Sequence, residues 1–348
     1  MKVALVHWRL AHVGGLENRL RLYTEYFHQR GDQITIFCYK QSPNFHLHPG
    51  VKVVQLALGI MPKPFRFWYF NHLLRKHFVP SQFDFSLSLQ RTGQQVACLA
   101  PGDHLGFLKA QGRSPRNLSD LLQIHLDRDS YRASKVIYPC SEMVAHNLET
   151  LYGVPRNKMV VLPPPLATDR FNRNLWPQRQ ALRRHYGMSE QKTTFVIVST
   201  AHRRKGIPLL LKVFSLLKDQ PVELKIAGAP LDLPHLPNIS YLGYEPCTER
   251  LFTAADYTIH PAVYEPFGQV ISESLACGAP VLLSAHTGWG SNLPTGYGRI
   301  VSGFEPAVWA QAVVDMVKER FSIPTDFAQI HGLTLRQHMD RMLAHYPF

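Results

Sequence analysis

The chain has 348 residues, 45% of them hydrophobic, which suffices for two domains with substantial cores. It lacks any uncharged apolar run of about 18 residues, which excludes a bilayer-spanning helix. Its formal net charge of +13 is uneven: residues 1–170 hold 21 Lys+Arg against 11 Asp+Glu, and residues 171–348 hold 17 against 14.

An anionic partner is therefore expected for the first half. No zinc finger, RNP-like motif or Arg-rich tail accompanies the charge, so a membrane surface or a phosphorylated glycolipid fits better than nucleic acid. The five cysteines, Cys38, Cys98, Cys140, Cys247 and Cys277, lack metal-ligand spacing and read as reduced core residues of a cytosolic protein.

The opening residues, MKVALVHWRLAHVGG, lack a small-residue cleavage site and read as a buried strand at Val3–His7, not a signal peptide. Val13-Gly14-Gly15-Leu16-Glu17 closes the first βα turn. Two glycines there permit a tight turn and open a helix N-terminus to phosphate or sugar. Leu16, Leu20, Tyr23 and Phe27 predict a helix over Gly15–Gln29. Glu17 either begins that helix or meets a ligand there. Strands follow at Gln33–Cys38 and Val51–Leu56, then a helix near 66–78 and strands at Phe83–Leu87 and Val96–Leu99.

Residues 61–80 interleave Lys63, Arg66, Arg75 and Lys76 with Phe65, Phe67, Trp68, Tyr69, Phe70 and Phe78. Either this is a core helix, or its aromatics and cations meet an anionic bilayer interface. Ala100-Pro-Gly-Asp103-His104 follows the strand ending at Leu99. Asp127-Arg128-Asp129 matches a D-x-D metal pattern but lies in helical LLQIHLDRDSYRAS, so a solvated or ion-paired helix face is expected. A strand at Val136–Pro139, a helix at Glu142–Tyr152 and a strand at Met159–Leu162 lead to Pro163-Pro164-Pro165, which stops regular structure.

A second βα series starts with a strand at Phe195–Ser199. Thr200-Ala-His-Arg-Arg204-Lys205-Gly206 follows, then a helix at Leu209–Leu217. Arg204 offers a fork for phosphate oxygens and Lys205 a compact charge. Strands are expected at Val222–Ala227 and Ile239–Leu242, joined by a short connector through Pro230 and Pro234. The next stretch is the most informative: HPAVYEPFGQVISESLACGAPVLLSAHTG, residues 260–288. It runs from a strand at Tyr257–His260 through a loop and a helix to a strand at Pro280–Leu283. Glu265 falls in the loop, Pro266 suits the first helical position, and Gly268 leaves room for a ligand beside the backbone. Glu273, on the helix, adds an acceptor for paired vicinal hydroxyls. Free N–H groups, glycine and two carboxylates together suit a nucleotide-sugar. Helices near 305–319 and 326–345 end the chain. Alternating β and α elements predict doubly wound parallel sheets with ligands at the strands' carboxyl ends.

Residues 256–288 resemble the donor signature of retaining glycosyltransferases of family 4. The resemblance rests on Asp256, Pro261, Glu265-Pro266-Phe267-Gly268, Glu273, Ala276, Gly278, Pro280, Val281 and Gly288. It implies an α/β, GT-B fold of two facing Rossmann-like domains around a cleft: an acceptor domain over 1–165, with a last helix at about 330–348 crossing back to it, and a donor domain over 166–329. It further implies catalytic roles for Glu265, Arg204, Lys205 and His104. Donor contacts would come from Gly14, Gly15, Glu265, Phe267, Gly268 and Glu273, and acceptor contacts from Glu17, Asp103 and His104. His104, Phe107 and Leu108 match a G-D-G-x-H pattern of bacterial relatives, but Pro101 stands where those carry aspartate, which Asp103 either replaces or does not; a lone buried structural histidine is the competing account of His104.

The resemblance points to bacterial enzymes of lipopolysaccharide core, O-antigen or other surface polysaccharides. It implies a nucleotide-sugar donor, most simply a UDP-sugar, no metal or other cofactor, and no nucleic acid. The expected location is the cytoplasm, with peripheral contact to the inner face of the membrane. Three alternatives stay open from sequence: a GT-B nucleotide-sugar epimerase, an inverting transferase, and a catalytically idle lipid-binding scaffold.

Overall fold

The computed structural model describes every residue except His12, Val13 and the side chain of Pro64. Residues 1–165 form β1 (Lys2–Val6), β2 (Arg9–Leu10), α1 (Gly15–Gln29), β3 (Gln33–Cys38), β4 (Lys40–Gln41), β5 (Lys52–Gln55), α2 (Arg66–His77), β6 (Phe85–Ser88), β7 (Ala97–Ala100), α3 (His104–Ala110), α4 (Leu118–Ala133), β8 (Val136–Pro139) and α5 (Glu142–Tyr152). Residues 166–334 form α6 (Arg179–His185), β9 (Thr193–Ser199), α7 (Ile207–Leu216), β10 (Val222–Gly228), β11 (Ile239–Gly243), α8 (Thr248–Ala254), β12 (Tyr257–His260), α9 (Gln269–Ala276), β13 (Val281–Ser284), β14 (Gly298–Val301), α10 (Pro306–Lys318) and α11 (Phe327–Ile330). The last helix is α12 (Leu335–Ala344). The chain divides into two compact units, Met1–Pro165 with Leu335–Phe348, and Leu166–Thr334.

The first unit is built on a six-stranded sheet in the order β5-β3-β1-β6-β7-β8, with all pairs parallel. Val3 to Val6 are fully buried, as a central parallel strand covered on both faces requires. Helix α1 turns Leu20, Tyr23 and Phe27 inward at helical spacing. Ser141 caps α5 by accepting from the Val144 N–H, and Gly153, at φ +68°, ends it.

The C-terminal helix belongs to this unit through its buried face. Met339 and Met342 join the core of Leu20, Phe27 and Phe85. His338 lies between the Tyr23 hydroxyl (2.6 Å) and the Pro163 carbonyl (2.8 Å). Burial pushes its pKa down to about 3, so it is a neutral hydrogen-bonding link.

Two expected elements differ. Met159–Leu162 is not a strand: it makes a single bridge, Ile137 to Met159, because its Val160 and Leu162 amides reach β8 carbonyls only on the approach to the proline run. The helix expected over 326–345 is two helices, since Gly332 adopts φ +64° and the chain is redirected between α11 and α12.

The second unit repeats the plan, in the order β11-β10-β9-β12-β13-β14, again all parallel. In each sheet the chain starts in the middle, builds one side, then returns to build the other. The order therefore reverses between β1 and β6 and between β9 and β12, and ligands of such sheets bind outside the carboxyl ends at that point. The connector after β10 carries no helix. Its Leu231, Leu233 and Leu236 lie partly buried against the core of Ile226 and Phe214.

Candidate functional site

Strands β9 and β12 are neighbours, and the loops leaving their carboxyl ends are stitched together. The Val263 N–H donates to the Arg204 carbonyl (3.1 Å). Arg204 Nη1 donates to the Tyr264 carbonyl (3.1 Å) and to Glu265 Oε2 (2.9 Å). Gly206 allows this approach: it adopts φ +79°, and a Cβ there would stand 2.2 Å from the Pro261 carbonyl oxygen. The glycine after Arg204 and Lys205 is what brings the two cations beside Glu265.

The Glu265 backbone is clamped to the loop after β13, its N–H donating to His286 O (3.1 Å) and its carbonyl accepting from Gly288 (2.8 Å). Gly268 adopts φ +84° and caps α9, which begins at Gln269. Pro266 is thus a loop residue and not the first helical one, because a left-handed Gly268 cannot lie inside a right-handed helix. Side chains leave the first turn of α9 uncapped. Phe267 is buried, its ring 5.9 Å from that of Trp289, so it supports the loop from inside the core.

The electrostatics follow from burial among few partners. Burial acts to raise the Glu265 carboxyl, but the neighbouring His260, Arg204 and Lys205 outweigh it and hold the group below the usual carboxylate range. Lys205 is buried and donates to the Val198 carbonyl (3.0 Å); desolvation pulls its pKa down while Glu265 opposes this. Burial lifts Glu273 to about 7, against Arg170 and Lys205. The site therefore sets two cations around one firmly ionised carboxylate, with a second carboxyl that titrates near neutrality. With Glu273 protonated these groups leave a net positive charge, which favours an anion beside them.

In the first unit, His104 opens α3 and is held by α4. Its Nε2 lies 2.8 Å from Asp120 Oδ1, and its backbone N–H donates to Asp127 Oδ2 (3.0 Å). Asp120 also accepts from Arg113 Nη1 (2.9 Å) and the Arg116 N–H (3.1 Å), which hold it well below the usual carboxylate range. Of the two readings of this stretch, solvated or ion-paired, Asp127 takes the second. It is fully buried, accepting from Tyr152 Oη (2.7 Å) and paired with Arg91 Nε (2.5 Å), because α4 turns this edge toward α3. Asp129 pairs with Arg75 at the surface (3.1 Å). Asp103 is buried and caps α3 at the Gly106 N–H, with its other oxygen accepting from Asn147 (2.9 Å). The α3 N-terminus is thereby saturated by the protein itself, since the Leu105 N–H meets Tyr152 Oη (3.0 Å).

Gly14 and Gly15 are exposed at the start of α1, which side chains leave uncapped and which carries Glu17 in its first turn. Val13 of that motif lies outside the described residues. In the aromatic segment, Phe70 and Phe78 are buried and the Phe67 ring lies 5.0 Å from Trp8. Phe65 and Trp68 are 40% and 47% exposed beside exposed Lys63 and Lys76, so one half of this segment is core and the other is surface. Among the described residues no helix is long and apolar enough to cross a membrane, and no group of three or more His, Cys, Asp or Glu could hold a metal ion.

Sequence reasoning singled out neither His260 nor Asp120. His260 stood in view as the last residue of a strand before proline. Asp120 lies seven residues before Asp127, a spacing that puts both on one helical face.

Residues 178–328 match the glycosyl transferases group 1 family and residues 13–170 match glycosyltransferase family 4. The chain belongs to the family-4 glycosyltransferases. A probable transglycosylase of Burkholderia thailandensis is 30% identical over 236 residues, 67% of this chain and 64% of that protein. The matches to further curated relatives span about half of their length. Among solved structures, WaaG, a glycosyltransferase involved in lipopolysaccharide biosynthesis, superposes with a TM-score of 0.75 over 97% of this chain and 93% of its own, at 16% identity. Anabaena HepE in complex with UDP-glucose gives 0.71 over 99% and 100%, at 13% identity. The fold is of the GT-B class, two α/β domains with parallel sheets.

Proposed function

We propose that this chain is a retaining glycosyltransferase that moves a sugar from a nucleotide-sugar, a UDP-sugar in the simplest case, to a glycan or glycolipid acceptor of bacterial surface polysaccharide or lipopolysaccharide. The observation that carries the reading is the Arg204–Glu265 pair at 2.9 Å, formed by two loops at the carboxyl ends of β9 and β12 where the strand order reverses. The UDP-glucose complex of HepE and the pathway of WaaG support the donor and acceptor classes.

In this reading Glu265 holds the transferred sugar and opposes the positive charge that develops at its anomeric carbon, while Arg204 and Lys205 stabilise the departing diphosphate. Glu273 grips the ribose. Gly14, Gly15 and Gly268 let backbone approach the donor. His104, fixed by two carboxylates of α4, faces the donor sugar or the acceptor, with Glu17 beside the acceptor; Asp103 supports them through its cap on α3. Retention follows a front-face route in which a donor phosphate oxygen helps to take the acceptor proton. The two cations supply charge that a divalent ion would otherwise bring, so the reaction needs no metal. The protein works in the cytoplasm, with Phe65, Trp68, Lys63 and Lys76 touching the anionic inner face of the membrane.

Glu265→Gln tests this. It keeps size and removes the charge, so kcat should fall on the order of a hundredfold while donor KM moves by about threefold or less. A folded mutant with near-normal kcat would remove the central residue of the proposal.

A further inference from the structure

His260 is the last residue of β12 and is completely buried, yet neither ring nitrogen makes a hydrogen bond. A buried polar atom left unsatisfied is destabilising, and an apolar side chain at this position would avoid that cost. What the ring does face is Glu265: its Nε2 lies 3.5 Å from Glu265 Oε2. The same oxygen accepts from Arg204 Nη1 at 2.9 Å.

Resting on the reading of Glu265 given above, we infer that His260 is a positioning residue that, together with Arg204, fixes Oε2 and so turns Oε1 toward the donor sugar. Arg204 donating to Oε2 from the loop after β9, with the His260 ring facing the same oxygen from the end of β12, defines which edge of the carboxylate is free. A single donor would leave the group able to rotate. Burial, with Lys205 and Arg204 close by, pushes the His260 pKa down, so the ring is neutral and carries one proton. With that proton on Nε2, a shortening of roughly 0.5 Å on donor binding completes the hydrogen bond. Nδ1 stays an unpaired acceptor in either case, and a ring that must offer a donor to Glu265 explains why it is tolerated.

The test compares His260→Leu, which removes the donor, with His260→Gln, which restores one, each alone and in the Glu265→Gln background. The readouts are kcat, donor KM and melting temperature. His260→Leu should lower kcat about tenfold or more with donor KM within about twofold and melting temperature equal or higher, and His260→Gln should recover a large part of the rate. In the Glu265→Gln background, His260→Leu should slow the enzyme by less than about twofold, because its effect passes through the charge already removed. Three outcomes overturn the inference: an unchanged kcat for His260→Leu, the same loss in both backgrounds, or a His260→Gln no faster than His260→Leu. Should His260→Leu fail to fold, His260→Gln in the two backgrounds decides alone, and equal effects in both refute positioning. Near-normal Glu265→Gln would defeat the functional proposal, whereas impaired Glu265→Gln beside wild-type-like His260→Leu would defeat this inference only.

Discussion

Replacing Glu273 by glutamine should stabilise the empty protein at alkaline pH while loosening its hold on the donor. Burial in α9 pushes this carboxyl from its ordinary 4.5 up to about 7, against the opposing pull of Arg170 and Lys205. A carboxyl with a folded pKa above its unfolded value binds its proton more tightly in the native state. Its contribution is therefore full below about pH 4.5 and is lost as pH rises through about 7, where a poorly hydrated carboxylate must be accommodated. An interval of ~2.5 units corresponds to at most ~3.4 kcal/mol. Glu273 is only half-buried and keeps part of its hydration, so about 1–2 kcal/mol is expected. Glutamine has nearly the same shape without the charge. The mutant should melt a few degrees above wild type at about pH 8.5 and lose most of that advantage at about pH 5. Its donor KM should rise by about tenfold with a smaller change in kcat, because a neutral amide is a weaker acceptor for paired hydroxyls. Calorimetric melts across this pH range and initial rates at varied donor check both halves. A mutant that melts below wild type at pH 8.5, or a difference that is the same at both ends, refutes the reasoning.

Transfer should proceed at an unchanged rate in EDTA, since Arg204 and Lys205 supply the charge that a divalent ion would otherwise bring; a rate abolished by chelation and restored by magnesium or manganese would reject the metal-free route. Anionic vesicles should bind the protein more than neutral ones and release it as salt rises. Changing Phe65, Trp68, Lys63 and Lys76 together should reduce that binding without lowering the melting temperature, because these side chains are exposed; equal binding to both vesicle types would defeat the membrane contact.

Local periodicity placed several elements at the residues they occupy: Gly15–Gln29, Gln33–Cys38, Val136–Pro139, Glu142–Tyr152 and Tyr257–His260. Each is decided by spacing within one or two turns or one strand, by a cap such as Ser141, or by a terminator such as Gly153. The strand–loop–helix–strand order of residues 257–284 was legible for a related reason, since glycines at set offsets report how a backbone turns. What the chain could not disclose by itself depends on residues far apart. The start of α9 was misjudged because proline suits a first turn in general, while Gly268 takes a left-handed conformation required by the clamp between Glu265, His286 and Gly288. The ion pairing of Asp127 was within reach of the sequence, but its burial was not, because the side of α4 that meets α3 depends on Tyr152 and Arg91, both distant in sequence. Arg204 and Glu265 lie 61 positions apart, and only the parallel pairing of β9 with β12 sets their loops side by side. A pattern of residue types specifies which groups are available to a site; which oxygen of Glu265 is held and which is free is a matter of ångströms, settled when two strands and two glycine-permitted loops pack together.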